Sequence, residues 1–376
     1  MKIAVPAETA AGETRVAISP DAVKAYVKKG LEVVVEQGAG AGSFMSDDAF
    51  KAAGATIVKG AGIFKGANIV LSVRRLADAA VKHLEKGCVV AAQLDPYGDR
   101  KHFDALAKQG VSAFSMELVP RITRAQSMDV LSSQANLAGY KAVIDAAEQF
   151  SRAFPMMMTA AGTVPAARVF IMGAGVAGLQ AIATARRLGA VVSATDVRAA
   201  AGEQVQSLGA KFVFVEGMAD AATAGGYAKE LSAEDQKKQA ELVANHIKAQ
   251  DIVITTALIP GRPAPVLVTR EMVESMKSGS VIVDMAVERG GNCPLSKAGK
   301  IVEHKGVTIM GLENLPGRLA GNASSLYAKN LQNFVDLMVS PEGELKVNWE
   351  DEIITGCGLM RDGEIIHPVL SDKKGN

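Results

Sequence analysis

Residues 167–198 read ARVFIMGAGVAGLQAIATARRLGAVVSATDVR, and this stretch decides the fold. The apolar run Val169–Met172 predicts a buried parallel strand. It leads into Gly173-Ala174-Gly175-Val176-Ala177-Gly178, a G-x-G-x-x-G that opens a helix over about Val176–Leu188. A second apolar strand, Val191–Thr195, ends on Asp196. Glycines at these positions permit a tight turn, close approach of backbone to pyrophosphate, and close helix–strand packing. The helix start adds unbonded N–H groups and the positive end of its dipole. Asp196, 18 residues after Gly178, stands where an acid bonds both hydroxyls of an adenosine ribose. A glycine-rich packing turn is the bland alternative, but strand, helix, second strand and terminal acid in order favour a dinucleotide. An ionised Asp196 repels a 2′-phosphate, so NAD(H) is expected over NADP(H). Arg198 complicates this, because a nearby arginine can hold that phosphate; it is read as a flanking surface charge.

The chain has 376 residues, which points to two domains, and 48% hydrophobic content suffices for substantial cores. Lys and Arg number 41 against 40 Asp and Glu, interspersed, so no nucleic-acid or polybasic membrane surface is implied. The start MKIAVPAET lacks signal-peptide architecture. Cys88, Cys293 and Cys357 are widely spaced, without metal-ligand spacing, and read as reduced cytoplasmic thiols; no metal is expected. Between Ala153 and Ala185 the only charge is Arg168. Pro155, Pro165 and repeated glycines break any spanning helix there, so a protein soluble by itself is expected.

Outward from the central motif, strands alternate with helices. Lys2–Val5 reads as a strand, and Ser19-Pro20-Asp21 as a helix start with Ser at N-cap and Pro at N1. That helix is expected to reach Lys29, before a strand Leu31–Glu36 and a glycine-rich turn Gly38–Ser43. Ser46-Asp47-Asp48 opens another helix. Further strands are expected at Thr56–Val58, Asn68–Val73, Cys88–Ala92 and Val111–Ser115. A helix over Asp129–Phe150 carries the chain into a second set: Val169–Met172, Val191–Thr195, Lys211–Val215, Asp251–Thr255, Val281–Asp284 and Thr308–Met310. A long helix, Ser324–Met338, offers a return, with strand-like pieces at Trp349–Thr355 and Glu364–Ile366. The fold class is therefore α/β, two doubly wound Rossmann-like domains separated by a cleft. Residues 1–130 plus 320–376 would form the first, completed by the tail, and 131–319 an inserted NAD(H)-binding Rossmann domain.

These segments together resemble a known family, the alanine dehydrogenases and the NAD(H)-binding (alpha, domain I) part of proton-translocating NAD(P) transhydrogenase. The resemblance covers nearly the whole chain. It is carried by KIAVPAETAAGETRVAISP, MTAAGTVPAARVFIMGAGVAGLQA and DMAVERGGNCP. PRITRAQSMDVLSSQANLAGYKAVIDAA (Pro120–Ala147) and TTALIPGRPAPVLVT (Thr255–Thr269) resemble the transhydrogenase branch more specifically. The resemblance implies Arg121, Gln126 and Asp129 at the nicotinamide, with Ser132 and Ser133 following. It implies nucleotide contacts from Gly173, Gly175, Val176, Gly178, Asp196, Val197, Arg198, Thr256, Ala257 and Leu258. Gly225-Gly226-Tyr227-Ala228-Lys229 resembles that family's mobile loop, whose Tyr closes over nucleotide.

The two branches differ in chemistry. Oxidising an amino acid moves protons as well as hydride, so an acid/base is needed, which the dehydrogenases supply as a Lys and a His. Here LSVRRLAD and VVAAQLDPYGD place Arg74 at the Lys position and Gln93 near the His position. Gln93 cannot shuttle a proton. His83, His102, His246 and His304 lie in charged stretches read as solvated, and His367 lies in the tail. Hydride transfer between two nicotinamides needs no acid or base, only proximity, orientation and exclusion of water. The transhydrogenase reading follows.

With one dinucleotide fingerprint and no transmembrane helix, the resemblance implies a soluble subunit of a larger enzyme, and a homodimer, because members of that family dimerise through this part. Its expected partners are a membrane-spanning transhydrogenase subunit and an NADP(H)-binding subunit. It would be cytoplasmic, held peripherally at the cytoplasmic membrane. The alternatives are an alanine dehydrogenase-like amino-acid oxidoreductase and a non-catalytic nucleotide-binding module. Some residues carry plainer readings: Arg124 as surface charge, Asp129 also as a helix cap, Met156–Met158 as core packing, Arg15 as structural. Gln134 and Asn136 are unassigned.

Overall fold

Local chemistry starts the first helix as its sequence dictates. Ser19 accepts the Ala22 N–H, Pro20 occupies the first turn, and helix Pro20–Lys28 follows. Ser46 does the same for helix Asp47–Ala52 by accepting from Ala49. The structure, a computed structural model, describes residues 1–215 and 232–371. The chain divides into two compact units, Met1–Gln134 with the segment from Gly317 onward, and Ala135–Pro316.

The first unit is built on β1 (Lys2–Val5), β2 (Glu32–Glu36), β3 (Thr56–Val58), β4 (Ile69–Leu71), β5 (Val89–Ala92) and β6 (Ser112–Ser115). Of two returning strands, Gly358–Arg361 joins β6 antiparallel and Glu364–Ile365 joins Gly358–Arg361 antiparallel, giving eight strands among the described residues. From that edge the order runs Glu364–Ile365, Gly358–Arg361, β6, β5, β4, β1, β2, β3, with β1–β6 all parallel. Strands buried on both faces need near-continuous apolar runs, as in IVL of β4 and VVAA of β5. Helix Ala320–Val335 adds Tyr327, Leu331 and Phe334 to one core of this unit.

Two expectations fail in this unit. The strand expected around Trp349–Thr355 is instead the helix Glu352–Cys357, because Asp351 accepts the Ile353 N–H at 2.8 Å and caps it. Trp349 precedes that helix and stacks on Phe114, centroids 5.4 Å apart. His102, expected in a solvated stretch, is buried on the inner face of helix Arg100–Lys108 beside Phe103 and Leu106. Its Nε2 has no hydrogen-bond partner among the described residues, and burial lowers its pKa.

The second unit opens with an antiparallel hairpin, β7 (Met157–Thr159) and β8 (Gly162–Val164). Met156, Met157 and Met158, expected in a core, are exposed on it at 62%, 44% and 82%. A hairpin of three-residue strands has no second layer to bury them. The main sheet comprises β9 (Arg168–Met172), β10 (Val191–Thr195), β11 (Lys211–Phe212), β12 (Ile252–Thr255), β13 (Val281–Asp284), β14 (Lys300–His304) and β15 (Val307–Gly311). Its order is β11-β10-β9-β12-β13-β15-β14. Without β14 this is the doubly wound 3-2-1-4-5-6 arrangement. β14, absent from the sequence reading, is an antiparallel edge strand of mixed charge, KIVEH. The strand expected over Lys211–Val215 pairs only at Lys211 and Phe212.

Candidate functional site

In the second unit the chain reverses direction at β9, leaving β10 on one side and β12 on the other. The carboxyl ends of β9 and β12 therefore flank a topological switch point, where open α/β sheets bind ligands. β9 ends at Met172 and continues into the Gly173–Gly178 turn; β12 ends at Thr255 and continues into Thr256-Ala257-Leu258. Gly173 has φ +106°, open to glycine, and donates its N–H to Thr195 O at 2.8 Å. A Cβ on Gly178 would lie 1.8 Å from Gly173 O, so the third glycine is required by backbone packing. A Cβ on Gly175 would meet nothing within 4 Å among the described residues. Among the described residues, the middle glycine thus borders open space, at the start of helix Val176–Arg187, whose first-turn N–H groups have no intrahelical acceptor. Val176 stands at that start, 39% exposed.

The flanking residues are tied to the same turn. Thr256 N–H donates to Met172 O at 2.9 Å, and its Oγ1 to Gly173 O at 3.2 Å. Asp196 accepts the Ala174 N–H at 2.7 Å. Val197 follows it, half-buried, and Leu258 is 51% exposed. Gly173, Gly175, Val176, Gly178, Asp196, Thr256 and Ala257 are thereby brought to one end of the sheet. Arg198, expected as a flanking surface charge, is instead folded onto Asp196. Its Nε reaches Oδ1 at 2.8 Å and its Nη2 reaches Oδ2 at 2.8 Å. Burial by itself would raise the Asp196 carboxyl, but hydrogen bonds from Arg198 and the Ala174 N–H hold it below the usual carboxylate range. It is therefore ionised at neutral pH. Tyr227 lies outside the described residues.

The first unit holds the other group on one loop. Asp129 accepts both the Ser132 N–H, at 2.8 Å, and its hydroxyl, at 2.5 Å, closing the first turn of helix Val130–Gln149. The preceding turn, Thr123–Met128, is braced from below. Asn330 and Asn333 donate to Ser127 O at 2.8 and 3.1 Å, and Ala125 and Met128 are buried. On this rigid base Arg121 and Gln126 are exposed. Arg124 is fixed differently, in a bidentate pair with Asp351 at 2.8 and 2.9 Å. Gln134 has a structural place: it accepts from Arg15 Nη1 at 2.8 Å and donates to Ala323 O at 3.1 Å.

Arg15 and Arg74 converge on Glu13, whose carboxylate takes Arg15 at 2.7 and 2.8 Å and Arg74 Nε at 2.9 Å. Burial favours the neutral acid, yet the two guanidinium groups hold Glu13 at about 2. Nearby, burial pushes Glu8 up to about 7 even though it accepts the Val73 and Arg74 N–H groups.

Sequence reading missed two residues that position the site. Asp284, fully buried at the end of β13, accepts from Ala286, Asn292 and Cys293 N–H groups and from Ser296 Oγ. It shapes the loop that presents Asn292. Asn292 then brackets Ala257, accepting its N–H at 3.2 Å and donating to its carbonyl at 2.9 Å. An acid ending a fully apolar strand, followed by Gly-Gly-Asn, was the available signal. No group of three or more His, Cys, Asp or Glu suited to a metal occurs among the described residues. Among the same residues no helix is long and apolar enough to cross a membrane.

Two family descriptions match the chain: Alanine dehydrogenase/PNT, N-terminal domain, over residues 4–138, and Alanine dehydrogenase/PNT, C-terminal domain, over residues 142–368. An NAD(P) transhydrogenase alpha-subunit chain of Rhodospirillum rubrum is 57% identical over 380 residues, covering 99% of each chain. A crystal structure of transhydrogenase from Sinorhizobium meliloti matches with a TM-score of 0.90 at 56% identity, covering 97% of this chain and all of that one. An L-alanine dehydrogenase structure shares the fold at 24% identity, with a TM-score of 0.83 over 99% of this chain and 98% of that one.

Proposed function

The chain belongs to the alanine dehydrogenase/PNT family, and from that premise we propose that it is the NAD(H)-binding subunit of a proton-translocating transhydrogenase. In this reading the unit Ala135–Pro316 holds NAD(H), and hydride passes directly to or from NADP(H) on a partner subunit. A membrane-spanning subunit couples the transfer to proton movement and keeps this chain at the cytoplasmic face. The observation that carries the reading is the switch point, where an open glycine at 175, an ionised Asp196 and the Thr256-Ala257 backbone meet. Those features fit a dinucleotide: space for pyrophosphate, an acid for the ribose, and backbone groups beside the nicotinamide half.

Bound NAD(H) supplies the redox chemistry at its nicotinamide. The work left to the protein is orientation and exclusion of water. Arg121 and Gln126 offer an exposed donor pair on a braced loop, and Asp129 with Ser132 offers a pre-formed acceptor and hydroxyl. Gln93 in place of an acid/base also supports hydride exchange over amino-acid oxidation. The exposed methionines of the β7–β8 hairpin support a second copy of this chain as a further partner, giving a homodimer.

Reconstitution with the membrane and NADP(H) components tests the reading. Arg121→Ala and Asp129→Asn are expected to slow hydride transfer tenfold or more, about 1.4 kcal/mol in barrier, seen by stopped flow. NADH affinity should fall less than the rate, since adenosine-end contacts survive. Full-speed transfer in both variants would make the loop structural. NADH oxidation by the isolated protein with pyruvate and ammonia would return it to the dehydrogenases. Asp196→Ala is expected to weaken NADH binding by on the order of 1–3 kcal/mol, the cost of unpaired ribose hydroxyls. It should also bind NADPH more readily than the unaltered protein; titrations unchanged for both nucleotides would remove Asp196 from the site.

A further inference from the structure

The Asp196 carboxylate is already saturated. A carboxylate offers about four lone-pair positions. Oδ1 accepts the Arg198 N–H at 2.9 Å and Arg198 Nε at 2.8 Å; Oδ2 accepts the Ala174 N–H at 2.7 Å and Arg198 Nη2 at 2.8 Å. Asp196 is 7% exposed, so water contributes little to its remaining solvation. An acid that must accept from two ribose hydroxyls therefore has no vacancy until two donors leave. The two backbone donors are fixed, one by the Gly173 turn and one by the end of β10. The other two belong to a single rotatable side chain.

We infer that the Arg198 guanidinium is a displaceable occupant of the ribose seat and so a specificity-determining residue, an inference that rests on the proposed NAD(H) reading. Nε and Nη2 present two parallel N–H donors to the carboxylate, in the fork geometry that suits bidentate pairing. A 2′,3′-diol presents two O–H donors to the same two oxygens. Seating the diol exchanges a bidentate ion pair for two hydrogen bonds from neutral hydroxyls, and NAD(H) affinity is lowered by that exchange. A 2′-phosphate cannot make the exchange, since at neutral pH it brings acceptors where donors are required. Were Arg198 to turn to the phosphate instead, Asp196 would face a dianion with two lone pairs unfilled. The pair thus excludes the phosphorylated ribose whichever way Arg198 points.

This reverses the usual expectation for an arginine beside a ribose acid, which is that it welcomes 2′-phosphate and leaves the diol alone. Calorimetric titration of the full-length protein, Arg198→Ala and Arg198→Gln with NADH, 5′-AMP, 2′,3′-dideoxy-AMP and 2′,5′-ADP separates the two. Both variants are expected to bind NADH and 5′-AMP about fivefold tighter or more. The gain should vanish for the dideoxy nucleotide, which has no hydroxyls to seat, and 2′,5′-ADP should remain weak. NADH affinity equal to or below that of the unaltered protein, in variants with its melting temperature, overturns the inference, as does a selective loss of 2′,5′-ADP binding. If the unaltered protein binds neither NADH nor 5′-AMP, the proposed function falls and the inference falls with it. Binding without tightening removes the inference alone.

Discussion

Gly178→Ala is expected to weaken NADH binding at least 100-fold, about 2.8 kcal/mol or more. The added methyl carbon would sit 1.8 Å from Gly173 O and 2.9 Å from the Gly173 carbonyl carbon. Both are backbone atoms, so no side chain can swing away. The same oxygen accepts from Thr256, and opening the turn therefore loosens the β12 side as well. Overpacking of this kind costs about 1–3 kcal/mol in stability even where the surroundings shift. Gly175→Ala is the matching control. Its methyl meets no atom of the described residues within 4 Å, and φ at 175 is −79°, so the fold should be kept. The methyl would instead enter the space proposed for pyrophosphate, so binding should fall while the melting temperature holds. Calorimetry with thermal melting reads both, and a Gly178→Ala protein with native NADH affinity would remove the turn from the site.

Asp284→Ala is expected to destabilise the second unit by about 3–4 kcal/mol, because it strands several buried donors in one step. Ala286, Asn292 and Cys293 N–H groups and the Ser296 hydroxyl all point at this carboxylate. Asn should rescue little, since its amide NH2 would face N–H donors. The protein provides its own reporter for locating the damage. Its one tryptophan, Trp349, packs on Phe114 in the first unit. Urea unfolding followed by far-UV circular dichroism should begin earlier in the variant, while Trp349 fluorescence shifts less. Coincident, unshifted transitions would show that Asp284 carries no such load.

What the sequence revealed follows from the range of the forces involved. The β9–turn–helix–β10 passage was legible because strand, glycine turn, helix and terminal acid are contiguous and each is set by near neighbours. Helix caps at Ser19 and Ser46 were legible for the same reason. Illegible features depended on distant partners or on finer chemistry. β14 carries mixed charges and becomes a strand only because β15 lies beside it, register Lys300 to Gly311. His102 is buried because Phe103 and Leu106 carry its helix face inward, which local charge density conceals. Glu352–Cys357 contains Thr and two Ile residues and reads as strand until the Asp351 cap is given its weight. Arg198 could be placed near Asp196 by counting, but whether it faced water or the carboxylate required the turn geometry.

The strand Gly358–Arg361 has a consequence for the order in which the protein is made. Its Gly358 pairs with Phe114, and the same core draws on Leu331, Phe334 and Ile353. During synthesis β6 emerges first and waits for its neighbour while roughly 240 more residues are added, which at about 5–20 residues per second takes roughly 12–50 s. Through that interval the first unit has an open sheet edge at β6 and an unfilled core, while the second unit, Ala135–Pro316, is made and completed. The unit that begins at the amino terminus is thus the last to be completed. A ribosome stalled between Pro316 and Gly358 would be expected to display a protected middle and a protease-sensitive beginning, the reverse of the usual vectorial order.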